Sequence, residues 1–301
     1  MVNIAYSKLQ HLADALFLNH NPKKVHFAIM AGYTSYSDAG GDGSGHMMTV
    51  AGLISNTADW KEFDKDWDKV LKWAHAPYLH MNKFVGHKKP FDNKKWERKE
   101  LRDEFVSRLV TVMRKNIDFL ALNVLPMNDY KVLNAEFKMK EARLTPFAVS
   151  GLGYMFVVEE WCRRNIIPWG QIEIFYEAGD DGGKEHFRYW CEKIFNKTPL
   201  PKPGVQDDSK EPDEYPLTPL QACDFVAWEI RRAEDDLKDG PSDTYTLRRS
   251  LEALDRLPQY MDHQRWTLGN LRKFCVKHGI KKRQTSSYLS SAADNPSNPT
   301  V

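Results

Sequence analysis

Val25-His-Phe-Ala-Ile-Met-Ala-Gly-Tyr-Thr-Ser-Tyr-Ser-Asp38, then Ala39-Gly-Gly-Asp-Gly-Ser-Gly45, then His46-Met-Met-Thr-Val-Ala-Gly-Leu-Ile-Ser55, is the stretch whose reading decides the fold. The outer segments are strand-like, and a glycine-rich turn separates them. Two strands joined by a short glycine-rich loop predict an antiparallel hairpin. The first strand is expected over 25–37, ending at Asp38, and the second over 46–55. The loop has no Gly-Lys-Ser/Thr ending and leads into a strand, which excludes a phosphate-binding P-loop. Its Ser44 is not placed as a nucleophile elbow.

Outward from the hairpin, residues 58–74 put Trp60, Phe63, Trp67, Val70 and Leu71 on one helical stripe, with Lys, Glu and Asp opposite. That stripe reads as core packing rather than a ligand platform, because any docked helix needs one. A charged helix is expected over 93–116, a strand over 117–125, and helices over 128–141 and 145–165. A strand over 171–177 and a helix over 182–195 come next. Residues 196–216, rich in Pro, Asp and Glu, read as a long surface loop. The helix bearing Asp224 follows, then helices over 245–257 and 266–278. Upstream, Leu9, Leu12, Ala13 and Leu16 predict an amphipathic helix over 4–18. The Ser-, Asn- and Pro-rich stretch 284–301 is expected to be disordered. No internal repeat is present. An early hairpin followed by βα units predicts an α/β chain with a mixed sheet flanked by helices, not an all-parallel one. The expected organisation is an N-terminal helical segment over 1–22, a main domain over 23–240, C-terminal helices over 241–283, and the tail.

Bulk properties narrow the classes. Of the 301 residues, 42% are hydrophobic and 28% charged, as in a globular protein with a core. The net charge of +2 is too mild to argue for nucleic acid by itself. Cys162, Cys191, Cys223 and Cys275 form no Cys-x-x-Cys pair, against a zinc ribbon or a thioredoxin-like motif. Their apolar or helical neighbours predict reduced core residues. With no apolar run of about 18 residues and no signal peptide, the expectation is a cytoplasmic protein without a membrane partner.

Three acids stand where a core would not tolerate them unaided. Asp38 ends the first strand. Glu177 ends Gln171-Ile-Glu-Ile-Phe-Tyr-Glu177. Asp224 lies in Leu217-Thr-Pro-Leu-Gln-Ala-Cys-Asp-Phe-Val-Ala-Trp228, a helix apolar almost all round and therefore expected to be buried, Asp224 with it. A buried carboxylate needs a cation, a donor or a proton. If the three converge, each pair at about 4 Å repels by about 4 kcal/mol at an effective dielectric of about 20. Either one acid protonates or a metal intervenes, and oxygen ligands favour Mg²⁺ or Mn²⁺. Such a site suits phosphoryl chemistry. Plainer readings stand beside this one. Thr218-Pro-Leu-Gln221 fits a capping box, making Gln221 a cap. Asp224 could pair with a buried Arg or Lys, and Asp38 could be a turn residue. Asp180 or Asp181 could replace Glu177.

Several segments in order resemble the family known as domain of unknown function 3800. Asp38-Ala-Gly-Gly41 stands where the family has Asp-Glu-Ser-Gly. Val50-Ala-Gly-Leu-Ile-Ser55 and Asp59-Trp-Lys-Glu-Phe-Asp-Lys-Asp-Trp67 match its second strand and Trp-rich helix. His80-Met-Asn-Lys-Phe84 matches a His-Met-x-x-Phe element, and Leu220-Gln-Ala-Cys-Asp-Phe-Val-Ala227 a Leu-Gln-x-x-Asp-x-x-Ala helix. The resemblance covers about 25–235. It implies a ribonuclease-H-like fold, with Asp38 and Asp224 in an acidic site and Glu177 as the natural third member. The departure is Ala39, where the family usually carries Glu.

His80 is a candidate ligand or proton shuttle, against the alternative of a structural hydrogen-bonding residue. His75, His80 and His87 lack the spacing of a helical zinc pair. Lys88, Lys89, Lys94, Lys95, Arg98, Lys99 and Arg102, with Trp96 among them, could hold phosphates. Interleaved Asp92, Glu97, Glu100 and Asp103 make a solvated helix face the plainer reading, and residues 277–283 form a second small basic cluster of the same kind. The first functional expectation is a metal-dependent, nuclease-like phosphodiesterase acting on nucleic acid. In it Asp38, Glu177 and Asp224 hold Mg²⁺ or Mn²⁺ and His80 assists. The second is a nucleic-acid-binding or regulatory module without turnover, which Ala39 favours. The third is a metal-free hydrolase using paired carboxylates as acid and base.

Overall fold

The hairpin forms the middle of the sheet. In the computed structural model, which describes residues 32–41, 45–177, 183–201, 217–237 and 261–283, β1 (Tyr33–Gly40) pairs antiparallel with β2 (Met47–Asn56). Tyr33 lies opposite Asn56, Asp38 opposite Ala51 and Gly40 opposite Thr49. β1 therefore does not stop at Asp38 but runs two residues further. It can do so because Gly40 has no side chain. A Cβ there would sit 2.5 Å from Thr49 Oγ1 and 2.7 Å from the Ala227 carbonyl oxygen of a crossing helix. The expected helices over 4–18 and 245–257, the expected strand residues 25–31, the tail, and Asp180 and Asp181 lie outside the described residues.

β3 (Phe119–Pro126) adds antiparallel to β2. β4 (Ile172–Tyr176) adds parallel to β1, and β5 (Leu200–Pro201) parallel to β4. On the other side, β6 (Met261–Arg265) pairs parallel with β3. The result is a mixed six-stranded sheet of order β5-β4-β1-β2-β3-β6. β6 corrects the expectation that 241–283 carries only helices. Met261-Asp-His-Gln-Arg265 shows no apolar alternation, so no period announces a strand. The ladder to β3 forms it, with Asn123 Nδ2 donating to the Gln264 carbonyl at 3.0 Å and the Trp266 N–H to Val124 at 2.9 Å.

Side-chain alternation splits the sheet into two faces. Leu120, Leu122 and Val124 of β3 join Ala51, Leu53, Tyr36 and Phe175 on one face. Phe119, Ala121 and Leu125 join Met48, Val50, Ile54, Ile172 and Ile174 on the other. The first face is covered by α1 (Thr57–Trp73), α3 (Lys99–Asn116) and α7 (Thr218–Leu237). A short α2 (Met81–Val85) lies at its rim. The second is covered by α4 (Met127–Glu136), α5 (Pro146–Arg164), α6 (Gly183–Phe195) and α8 (Leu268–Lys277). On α1 the Asn56 side chain accepts from the Ala58 and Asp59 N–H groups, and Trp60, Phe63, Trp67, Val70 and Leu71 are all buried. That stripe is core. The expected helix over 93–116 is broken: a 3₁₀ turn at Lys94–Glu97 precedes α3, and Arg98 between them is extended. Trp96 fills the gap beneath, packed on Phe84, Phe91 and Phe105.

All four cysteines are free and buried. Among the described residues no helix is long and apolar enough to cross a membrane.

Candidate functional site

β1 and β4 run parallel with Ser37 opposite Tyr176, and the ladder continues one step past β4 as the Glu177 N–H donates to the Ser37 carbonyl at 2.8 Å. Asp38 and Glu177 are thus the next residues on adjacent strands, whose spacing is about 4.8 Å. Tyr36 and Phe175 stack at 5.4 Å on the α7 face. Two residues on, strand alternation sends Asp38 and Glu177 to that same face. α7 crosses directly over them. The Cys223 thiol donates to the Tyr36 carbonyl at 3.1 Å, and the Thr49 hydroxyl donates to the Ala227 carbonyl at 3.1 Å.

Asp224 follows Cys223 on α7, and the charges of all three acids act on that thiol. Burial pushes the Cys223 thiol far up, and the charges of Asp38, Glu177 and Asp224 push it the same way. A thiol held neutral like this is no nucleophile. Burial also raises the Asp224 carboxyl and Glu177 adds to the rise, while the Met81 N–H, His80 and Arg231 oppose it.

Asp224 is not fully buried as the apolar helix suggests; its side chain is 22% exposed. Successive residues on a helix are rotated by about 100°. Cys223, Val226 and Ala227 therefore meet the sheet, while Asp224 turns toward the start of α2. There its Oδ2 accepts the Met81 N–H at 2.7 Å, and His80 Nδ1 lies 3.4 Å away without hydrogen-bond alignment. Among the described residues its Oδ1 accepts no hydrogen bond. Among the described residues no Arg or Lys forms the ion pair with Asp224 that the alternative reading expects. Arg231 acts on Asp224 electrostatically but stands beyond ion-pair contact.

Neighbouring polar groups are structural. Gln221 is not a cap: its Oε1 accepts from Trp67 Nε1 at 3.1 Å and the Leu79 N–H at 2.7 Å, tying α7 to α1 and to the chain leading into α2. The Thr218 hydroxyl is bonded to Asp64. Asp38 Oδ1 accepts the Ala39 N–H at 2.6 Å.

Of the four candidates, Asp38 and Glu177 are neighbours across β1 and the end of β4, and Asp224 and His80 are neighbours at the start of α2. Among the described residues no group of three or more His, Cys, Asp or Glu is gathered closely enough to hold one metal ion. The donors at the site are carboxylate oxygens, the type that suits a hard cation. Mg²⁺ is commonly held by one or two carboxylates, with water and substrate oxygens completing its shell.

Sequence reasoning passed over two contributors. One is the Met81 N–H, a backbone group with no side-chain signature. The other is Arg231, seven residues after Asp224 and so on nearly the same helical stripe. Of the basic stretch, Lys88, Lys89, Lys94, Arg98 and Lys99 are exposed. Lys95 is occupied in holding the Ala74 and His75 carbonyls, and Arg102 contacts His87 at 2.9 Å. Trp96 is buried and offers no stacking platform. No model of a known protein family matches the chain, and no curated protein matches it either.

Proposed function

We propose that the chain is a metal-dependent, nuclease-like phosphodiesterase acting on nucleic acid, built on a ribonuclease-H-like fold. The observation that carries this reading is the adjacency of Asp38 and Glu177 at the C-terminal ends of the parallel strands β1 and β4, under the helix that carries Asp224. Open α/β sheets commonly bind ligands at such strand ends. The fold reading draws support from the β1-β2-β3 antiparallel meander with β4 and β5 added parallel beside β1.

In this reading one or two of the carboxylates of Asp38, Glu177 and Asp224 would hold Mg²⁺ or Mn²⁺, with water and substrate oxygens completing its shell. Bound there, the ion would lower the pKa of a water and steady charge on a leaving oxygen. The chain's own part is positional. Asp38 and Glu177 sit on rigid strands. The Met81 N–H fixes one oxygen of Asp224 and leaves the other open. His80, 42% exposed beside Asp224, can carry a proton to or from a substrate oxygen.

A second reading, a nucleic-acid-binding or regulatory module, is favoured by Ala39 and by one oxygen of Asp224 being committed to the start of α2. Cleavage of labelled DNA and RNA with Mg²⁺, Mn²⁺ or EDTA separates the two. The phosphodiesterase reading expects metal-dependent cleavage that falls at least about a hundredfold in Asp224→Asn, within the range for losing a charge-positioning group. Binding without cleavage selects the second reading. Full activity in chelator would instead point to paired carboxylates working as acid and base.

A further inference from the structure

We infer that Arg231 is an anion-binding residue of this site and takes a phosphate oxygen beside the carboxylates. The inference deepens the phosphodiesterase reading by assigning the group that holds the substrate phosphate, and its direct test needs no turnover.

The placement comes from α7. Arg231 follows Asp224 by two helical turns, about 10 Å along the axis. Side chains on a helix lean toward its N-terminus, so the long Arg231 stem runs back toward Asp224. Gly41 confines that stem. This glycine has φ +102, and a Cβ on it would lie 3.0 Å from the Met47 carbonyl oxygen and 3.3 Å from Arg231 Cδ. The bare backbone of Gly41 therefore makes the wall along which the arginine lies.

The guanidinium is close enough to Asp224 to oppose its raised pKa, but it makes no ion pair with it. Its Nε is buried and donates to nothing among the described residues. Buried N–H groups are almost always paired, and an exception calls for an acceptor. Guanidinium offers five donors in a planar fork that matches two oxygens of a phosphate. Its weak hydration suits a half-buried place better than an ammonium would. The charges at the site point the same way. Three carboxylates would repel a phosphate, and Arg231 supplies fixed positive charge on their flank.

The test is titration of the full chain with inorganic phosphate, followed by calorimetry and by phosphorus NMR, for the wild type, R231Q, R231K and D224N. The wild type should bind phosphate saturably. R231Q should bind about tenfold to a hundredfold more weakly, the worth of a charged hydrogen bond. R231K keeps the charge, loses the fork and should bind several-fold more weakly. D224N removes a repelling charge and should bind as well as the wild type or better. Circular dichroism checks that each variant is folded, and R231K keeps the test decisive if R231Q is not.

No saturable binding by the wild type, or wild-type affinity in the folded arginine variants, overturns the assignment. Phosphate binding that needs Arg231 in a chain that cleaves nothing would sink the phosphodiesterase reading and leave the anion site standing. Cleavage by a chain whose phosphate binding ignores Arg231 would do the reverse.

Discussion

On the α5 face of the sheet, Ser35 is paired with Tyr154, Ser150 donates to Asn123 at 2.9 Å, and Trp266 Nε1 donates to the Val149 carbonyl at 2.9 Å. On the α7 face the charges of Asp38, Glu177 and Asp224 all act on the Cys223 thiol, and the buried Nε of Arg231 lacks an acceptor among the described residues. Both regions set polar groups against the central strands. The groups just named on the first pair with one another, although that face also holds a buried Tyr176 hydroxyl without a partner. The second sets like charges together and has a guanidinium beside them. The difference teaches that neither polarity nor one unpaired group near the sheet marks a site; a gathering of like charge with a cation on its flank does.

The comparison can be broken most strongly at Gln221, a hydrogen-bonded neutral group on the charged face. Gln221→Leu orphans two buried N–H groups, those of Trp67 and Leu79. Each costs about 1–3 kcal/mol, so urea denaturation should show a loss of at least about 2 kcal/mol. A neutral result would mean that α7 is not held by this tie. A smaller effect is expected on the α5 face. Tyr154→Phe removes the hydroxyl paired with Ser35 and should cost about 1 kcal/mol, with nucleic-acid cleavage and phosphate binding unchanged. A change in either function would mean that the α5 face is not purely structural.

The smallest effect sharpens the contrast through pH. Burial holds the Asp224 carboxyl above its ordinary value of 3.8, against the Met81 N–H and His80. Between the unfolded value, about 4, and the raised folded value, the native chain binds more protons than the unfolded one. The stability this group contributes is therefore complete below about pH 4 and is lost as pH rises through the folded value. In chelator, the melting temperature of Asp224→Asn should gain on the wild type as pH rises from about 4 toward neutrality. A difference that stays flat would put Asp224 among the satisfied groups.

Legibility differed from element to element for physical reasons. The hairpin could be read because strand-like runs such as the continuously apolar Val50–Ile54 flank a glycine-rich turn, and the α1 stripe because period 3.6 is printed in Trp60–Leu71. β6 could not, since an edge strand as polar as Met261-Asp-His-Gln-Arg265 is made by its neighbour. The end of β1 was misplaced because glycine reads as a turn when seen alone. Gly40 is instead the residue that lets α7 approach. Among site residues, Asp38, Glu177 and Asp224 were visible as acids out of keeping with their surroundings. Arg231 was not, because Arg231-Arg-Ala-Glu-Asp-Asp236 reads as an ordinary solvated helix end.

The sequence by itself determined the α/β class, the mixed character of the sheet and the acids worth suspecting. Each of these follows from residue type and spacing along the chain. Only the tertiary structure decided that Asp38 and Glu177 stand side by side under α7, that Asp224 is half open with one oxygen bound at α2, and that Arg231 stands on their flank. Those facts depend on how α7 lies across β1 and β4, and that is set by contacts between residues more than a hundred positions apart, such as Cys223 with Tyr36 and Gln221 with Trp67.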